Sequence, residues 1–144
     1  MATTATFDDV NLILRLYEMR REARMREARN WFGANFKIRT LAEFMALCPP
    51  GSEPNASYRM VTSYWEMVAS FITKGVLDAE LFYQSGRELL FVYARLRHVL
   101  PAVREKFQNP DELKNLETAA LGFIDWWNRL QPGAFDAFCK RIDA

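Results

Sequence analysis

Residues 56–75, ASYRMVTSYWEMVASFITKG, decide the fold. Nothing in them breaks a helix before Gly75, and at about 100° per residue Tyr58, Val61, Trp65, Val68 and Ile72 fall on one stripe. Met60, Tyr64, Met67 and Phe71 form a second stripe beside the first, so roughly half the circumference is apolar. The opposite arc carries Arg59, Thr62, Ser63, Glu66, Ser70 and Thr73. The pattern predicts a central helix from Ala56 to Lys74 that touches at least two others. It also places Glu66 on the outer, polar arc, although its sequence neighbours are apolar.

Working toward the N-terminus, CPPGSEPNAS (48–57) holds three prolines and a glycine and reads as a loop. Before it, Thr40 and Glu43 have the spacing of a capping box for a short helix through Leu47. From Asp8 to Phe32 no glycine or proline intervenes, which predicts one long first helix of roughly 37 Å at 1.5 Å per residue. Val10 to Met19 is apolar on most faces and reads as buried. RREARMREARN (20–30) offers only Ala23, Met25 and Ala28 to a partner and reads as solvated, with pairs such as Glu22 and Arg26.

Toward the C-terminus, Asp78 is a plausible cap of a short helix, and Ser85 with Glu88 suggests a capping box for a longer one. Pro101 must kink or break that helix, because its ring clashes with the preceding turn and it lacks an N–H. NPDEL (109–113) reads as the start of the last long helix, with Asn109 as cap and Pro110 in the first position. AFDAFCKRI (134–142) adds a short amphipathic tail. No segment alternates strictly enough to be a strand. The expected fold is all-α: one domain over residues 1–144, an irregular bundle of five or six helices with a long N-terminal helix.

The chain has 144 residues, half of them hydrophobic, and a formal net charge of +1, so no global field favours nucleic acid or an anionic membrane. The N-terminus resembles neither a signal peptide nor a membrane span. Cys48 and Cys139 form no ligand pattern and read as packing residues of a reduced, cytoplasmic chain, where the Asn55 sequon would meet no glycosylation enzyme. A single histidine, His98, excludes paired Glu-x-x-His and H-E-x-x-H metal sites. The six scattered glycines exclude phosphate loops and the nucleophile elbow. No catalytic residue, metal or cofactor is called for. The adjacent aromatics, Tyr64-Trp65 and Trp126-Trp127, read as filling two interfaces of one core.

YEMRREARMREARNWF (17–32), YRMVTSYWEMVASFITKGVLDAELF (58–82) and LRHVLPAVREKFQNP (96–110), in that order, resemble a family of small bacterial helical proteins known as a domain of unknown function. The resemblance runs from Tyr17 to Trp126, and its most specific piece is Tyr64-Trp65-Glu66 followed by Gly75. It implies an all-helical bacterial protein and carries no activity, cofactor or catalytic residue.

A first helix longer than the small body beneath it needs cover for its far end. The expectation is therefore a protein-interaction module acting as a homodimer, with Arg20, Arg24, Met25, Ala28 and Trp31 as the candidate interaction face. The alternative is a nucleic-acid-associated regulator that lays the Arg20–Arg29 face on phosphates, although no helix-turn-helix follows it. An enzyme using the Glu66 arc is a third reading with no motif behind it.

Overall fold

The central helix forms as its pattern requires, but it starts earlier. The computed structural model describes residues 4–144. In it the helix runs Glu53–Thr73, with Ser52 Oγ accepting from Asn55 N at 3.2 Å and Pro54 in the first turn, where a missing N–H is tolerated. Part of the expected loop is thus helix. Tyr58, Val61, Tyr64, Trp65 and Val68 are buried, and Gly75 ends the run at φ +76°. Thr62, assigned to the polar arc, is buried as well. Its hydroxyl donates to the Tyr58 carbonyl at 2.9 Å and so needs no solvent.

Among the described residues there are nine helices and no strand: α1 Phe7–Met19, α2 Ala23–Asn35, α3 Leu41–Leu47, α4 Glu53–Thr73, α5 Ala79–Tyr83, α6 Arg87–Leu96, α7 Leu100–Lys106, α8 Lys114–Leu130 and α9 Ala134–Arg141. The chain is all-α, while five or six helices was an undercount. α4 packs most extensively on α8 and on α2, and α6 closes against α8. Phe32 stacks on Phe36 at 4.6 Å and Phe36 on Tyr58 at 5.4 Å, with Phe44 edge-on to Tyr58 at 5.0 Å. A second aromatic group, Tyr83, Phe123, Trp126, Trp127 and Phe138, joins α5, α8 and α9. The paired aromatics do fill two interfaces of one core.

The long first helix is the main correction. It breaks at Arg20–Glu22 without glycine or proline. Arg21 N and Glu22 N turn back to the carbonyls of Glu18 and Met19, and the Glu22 carboxylate then caps α2 by accepting from Met25 N at 3.1 Å. Glu22 therefore does not pair with Arg26. The burial of the first half is also corrected, while residues 20–30 are largely exposed apart from Met25 and Ala28, as expected. α1 leaves Phe7, Val10, Leu14, Tyr17 and Met19 exposed, whereas α2 buries Met25, Ala28 and Phe32.

Other boundaries follow their chemistry. Thr40 caps α3 through Glu43 N at 3.2 Å, Asp78 caps α5 through Leu81 N at 2.8 Å, and Pro101 sits in the first turn of α7 after a break from α6. The expected start of α8 does not hold. Asn109–Glu112 closes a turn, Leu113 follows at φ +54°, and the helix begins at Lys114. Glu88 does not complete a capping box either, because Gly86 is the residue before α6 and the carboxylate points to α2. No helix among the described residues is long and apolar enough to cross a membrane.

Candidate functional site

α1 lies on the body as a strap with three attachments. Thr6 and Asp9 form a capping box: Thr6 N donates to Asp9 Oδ2 at 2.7 Å, and Asp9 N donates to Thr6 Oγ1 at 3.3 Å. The other Asp9 oxygen accepts from Asp78 N at 2.8 Å, which ties the start of α1 to the start of α5. These backbone donors, Asp78 first, hold the Asp9 carboxyl below its ordinary range. In the last turn of α1, the Leu16 carbonyl accepts from the buried Tyr64 hydroxyl.

The third attachment is the hinge itself. Arg29 grips Glu88 with Nη2 at 2.7 Å and Nε at 2.9 Å, and its Nη1 donates to the Arg20 carbonyl at 3.0 Å, one of those left open where α1 ends. Arg20 Nη1 approaches the same Glu88 at 3.4 Å. All three side chains are three-quarters buried or more. One carboxylate on α6 thus fixes the angle between α1 and α2.

So held, α1 turns Leu12, Ile13 and Leu16 inward and presents Phe7, Val10, Leu14 and Tyr17 to water, at 77%, 40%, 55% and 45% exposure. Their 3,4,3 spacing puts them on a single outer stripe. Their exposed apolar surface is on the order of 400 Å², within the range of the largest apolar patch on a typical monomer, which is often functional. Arg20 and Arg21 stand over the Tyr17 ring at 4.5 and 5.6 Å and frame the end of the stripe.

The face expected from sequence is not assembled on the surface. Met25 and Ala28 are 6% and 3% exposed in the chain's own core, and Trp31 is half-buried against it. Arg20 is drawn into the Glu88 clamp, and Arg24 alone of the five is exposed. The apolar stripe on α1 was missed because Val10–Met19 looked apolar enough to be buried on every side. Its signal was the regular spacing of Val10, Leu14 and Tyr17 on the flank away from Leu12 and Leu16.

Glu66 takes a role that neither sequence reading foresaw. Half-buried on α4, its Oε1 accepts from Leu116 N at 2.8 Å, and its Oε2 accepts from Asn115 N at 3.3 Å and Asn115 Nδ2 at 2.9 Å. It supplies from another helix the cap that Leu113 cannot give to α8. All its close partners are structural. Cys48 is buried and its thiol is pushed up to about 11 by desolvation, so it is an unreactive packing residue.

No curated protein and no solved structure matches the chain. A family profile matches residues 5–126, covering the chain from before α1 into α8 and leaving out α9. The chain belongs to the family described as "Domain of unknown function (DUF4760)".

Proposed function

We propose that this protein is an interaction module that forms a homodimer through the outer face of α1. The observation that carries this reading is the stripe Phe7, Val10, Leu14 and Tyr17, held in water by a helix anchored at its start, in its last turn and at the hinge that follows. A second copy is the occupant best suited to it. Antiparallel pairing about a two-fold axis sets Phe7 against Tyr17 and Val10 against Leu14. It also brings Asp8 in the first turn of each α1 toward the Arg20–Arg21 end of the other and opposes the two helix dipoles. Two such patches would bury on the order of 800 Å² in total, below the size of a standard stable interface, so the dimer is a reversible one.

Light scattering across micromolar concentrations should show a mass rising from one chain toward two. Leu14→Glu should hold the mass at one chain with an unchanged melting curve, because Leu14 is more than half exposed in the single chain. A wild-type chain that stays monomeric up to ~100 μM overturns the reading. The nucleic-acid alternative is read in the same samples. Arg20 and Arg29 are occupied by Glu88, which leaves Arg21, Arg24 and Arg26 for phosphates, and binding through them would weaken steeply between two salt levels.

A further inference from the structure

Apart from the α1 stripe, the structure holds a recess whose walls are almost wholly polar. Lys37 and Arg39, just past α2, face Arg95 of α6 and His98 beyond it across about 80 Å³, with Asp143 and Ala144 on the remaining wall. Arg95 is 5% exposed. Its Nη1 donates to the Phe36 carbonyl at 2.9 Å and its Nη2 to the Ile142 carbonyl at 2.7 Å, while Nε finds no acceptor among the described residues. No carboxylate among the described residues lies within ion-pair distance of it. A buried charge ordinarily has an opposite charge against it.

The neighbours add to the imbalance. Arg39 Nη1 lies 3.0 Å from His98 Nε2, and because the guanidinium can only donate, that nitrogen accepts and His98 is neutral there. Burial, then Arg39 and Arg97, hold the imidazole's pKa below its ordinary value. Three cationic side chains therefore line a small space shared with the Asp143 carboxylate and the terminal carboxylate of Ala144, so the recess keeps a net positive charge.

We propose that this recess is a binding site for a phosphate-type oxyanion, with Lys37, Arg39 and Arg95 as its charge partners. The space is several times the ~10–15 Å³ that admits one water, and far below the ~300 Å³ at which pockets begin to enclose whole organic ligands. It fits one tetrahedral group, either free phosphate or the terminal phosphate of a compound whose remainder stays in solvent. Arg39 would turn from His98 to the anion, and His98 would then gain a negative neighbour and take up a proton. Lys37, Arg95, Arg97 and Asp143 are the other charged side chains around that imidazole.

The test is titration of the full chain with inorganic phosphate and, separately, glycerol phosphate at constant ionic strength, followed by the nitrogen resonances of the Arg39 and His98 side chains. Saturable shifts confined to these residues, with His98 moving toward imidazolium, are expected. Arg39→Gln and Lys37→Gln together should weaken binding at least tenfold, since each removes a charge-assisted hydrogen bond. Equal binding of both compounds would assign the site to a phosphate group on a larger molecule, and binding of inorganic phosphate alone would assign it to the free anion. Unsaturable drifts that coincide in wild type and the double variant are a general salt effect and overturn the proposal. Should the double variant fail to fold, Asp143→Asn decides: it removes the opposing acid and must bind more tightly, and an unchanged or weaker affinity refutes the site.

Discussion

Replacing Glu66 by alanine should destabilise the protein far more than a polar-arc glutamate would allow. The side chain accepts two backbone N–H groups and one amide N–H at 2.8, 3.3 and 2.9 Å, and α8 has no side-chain cap at its own N-terminus. Loss of a helix cap costs about 0.5–2 kcal/mol, and hydrogen bonds to a charged group add about 1.5–3 kcal/mol each where water cannot replace them. Glu66 is half-buried, so water recovers part of this, and about 2–3 kcal/mol is expected for Glu66→Ala. Glu66→Gln keeps one acceptor but turns an N–H toward the second backbone donor, and should cost about 1–2 kcal/mol. Urea melts of wild type, both variants and the exposed control Glu105→Ala measure this directly, with m unchanged if the unfolding reaction is the same. Trp65→Ala, at 3% exposure, sets the upper mark at about 3–5 kcal/mol. A Glu66→Ala midpoint indistinguishable from the Glu105→Ala control would refute the capping argument.

Glu88→Gln loosens the grip on Arg20 and Arg29, both less than a quarter exposed, and should cost about 1–3 kcal/mol; hydrogen exchange should speed up in α1 while α8 stays protected. His98 has a pKa held below the ordinary 6.5 by burial and then by Arg39 and Arg97, so its contribution is complete above pH 6.5 and is lost as pH falls below it. Wild type should therefore lose stability faster than His98→Gln on acidification from about pH 6.5 to 5, as equilibrium melts at several pH values would show. A Cβ at Gly86 would overlap the ring of the buried Phe82, so Gly86→Ala should cost about 1–3 kcal/mol of overpacking, read as a lower urea midpoint.

α4 was legible because its apolar residues repeat over five turns and its glycine stop is backbone chemistry. The same holds for Thr40, Asp78 and Pro101, whose effects act within four residues. What escaped depends on partners distant in sequence. The hinge at Arg20–Glu22 carries no breaker residue; it is held by Glu88, which lies 59 positions beyond Arg29. The start of α8 looked settled by Asn109 and Pro110, yet Leu113, 4% exposed, takes left-handed backbone with Glu66 serving as the cap from 50 positions upstream of Leu116. Glu66 itself was placed on the correct arc. Arg59, Ser63 and Thr73 on that arc do meet solvent, but Glu66 is half-buried and faces the terminus of another helix.

The same long-range cap sets an order on the chain's birth. Synthesis at about 5–20 residues per second separates Glu66 from Leu116 by ~3–10 s, and loop closure over 50 positions cannot begin sooner. Throughout that interval α4 has emerged with its α8-facing side uncovered, and the hinge clamp must wait for Glu88 in the same way. Nascent helices in the first half of this protein are therefore provisional: their final arrangement is decided late, when a short stretch after residue 113 arrives to meet a carboxylate made long before it.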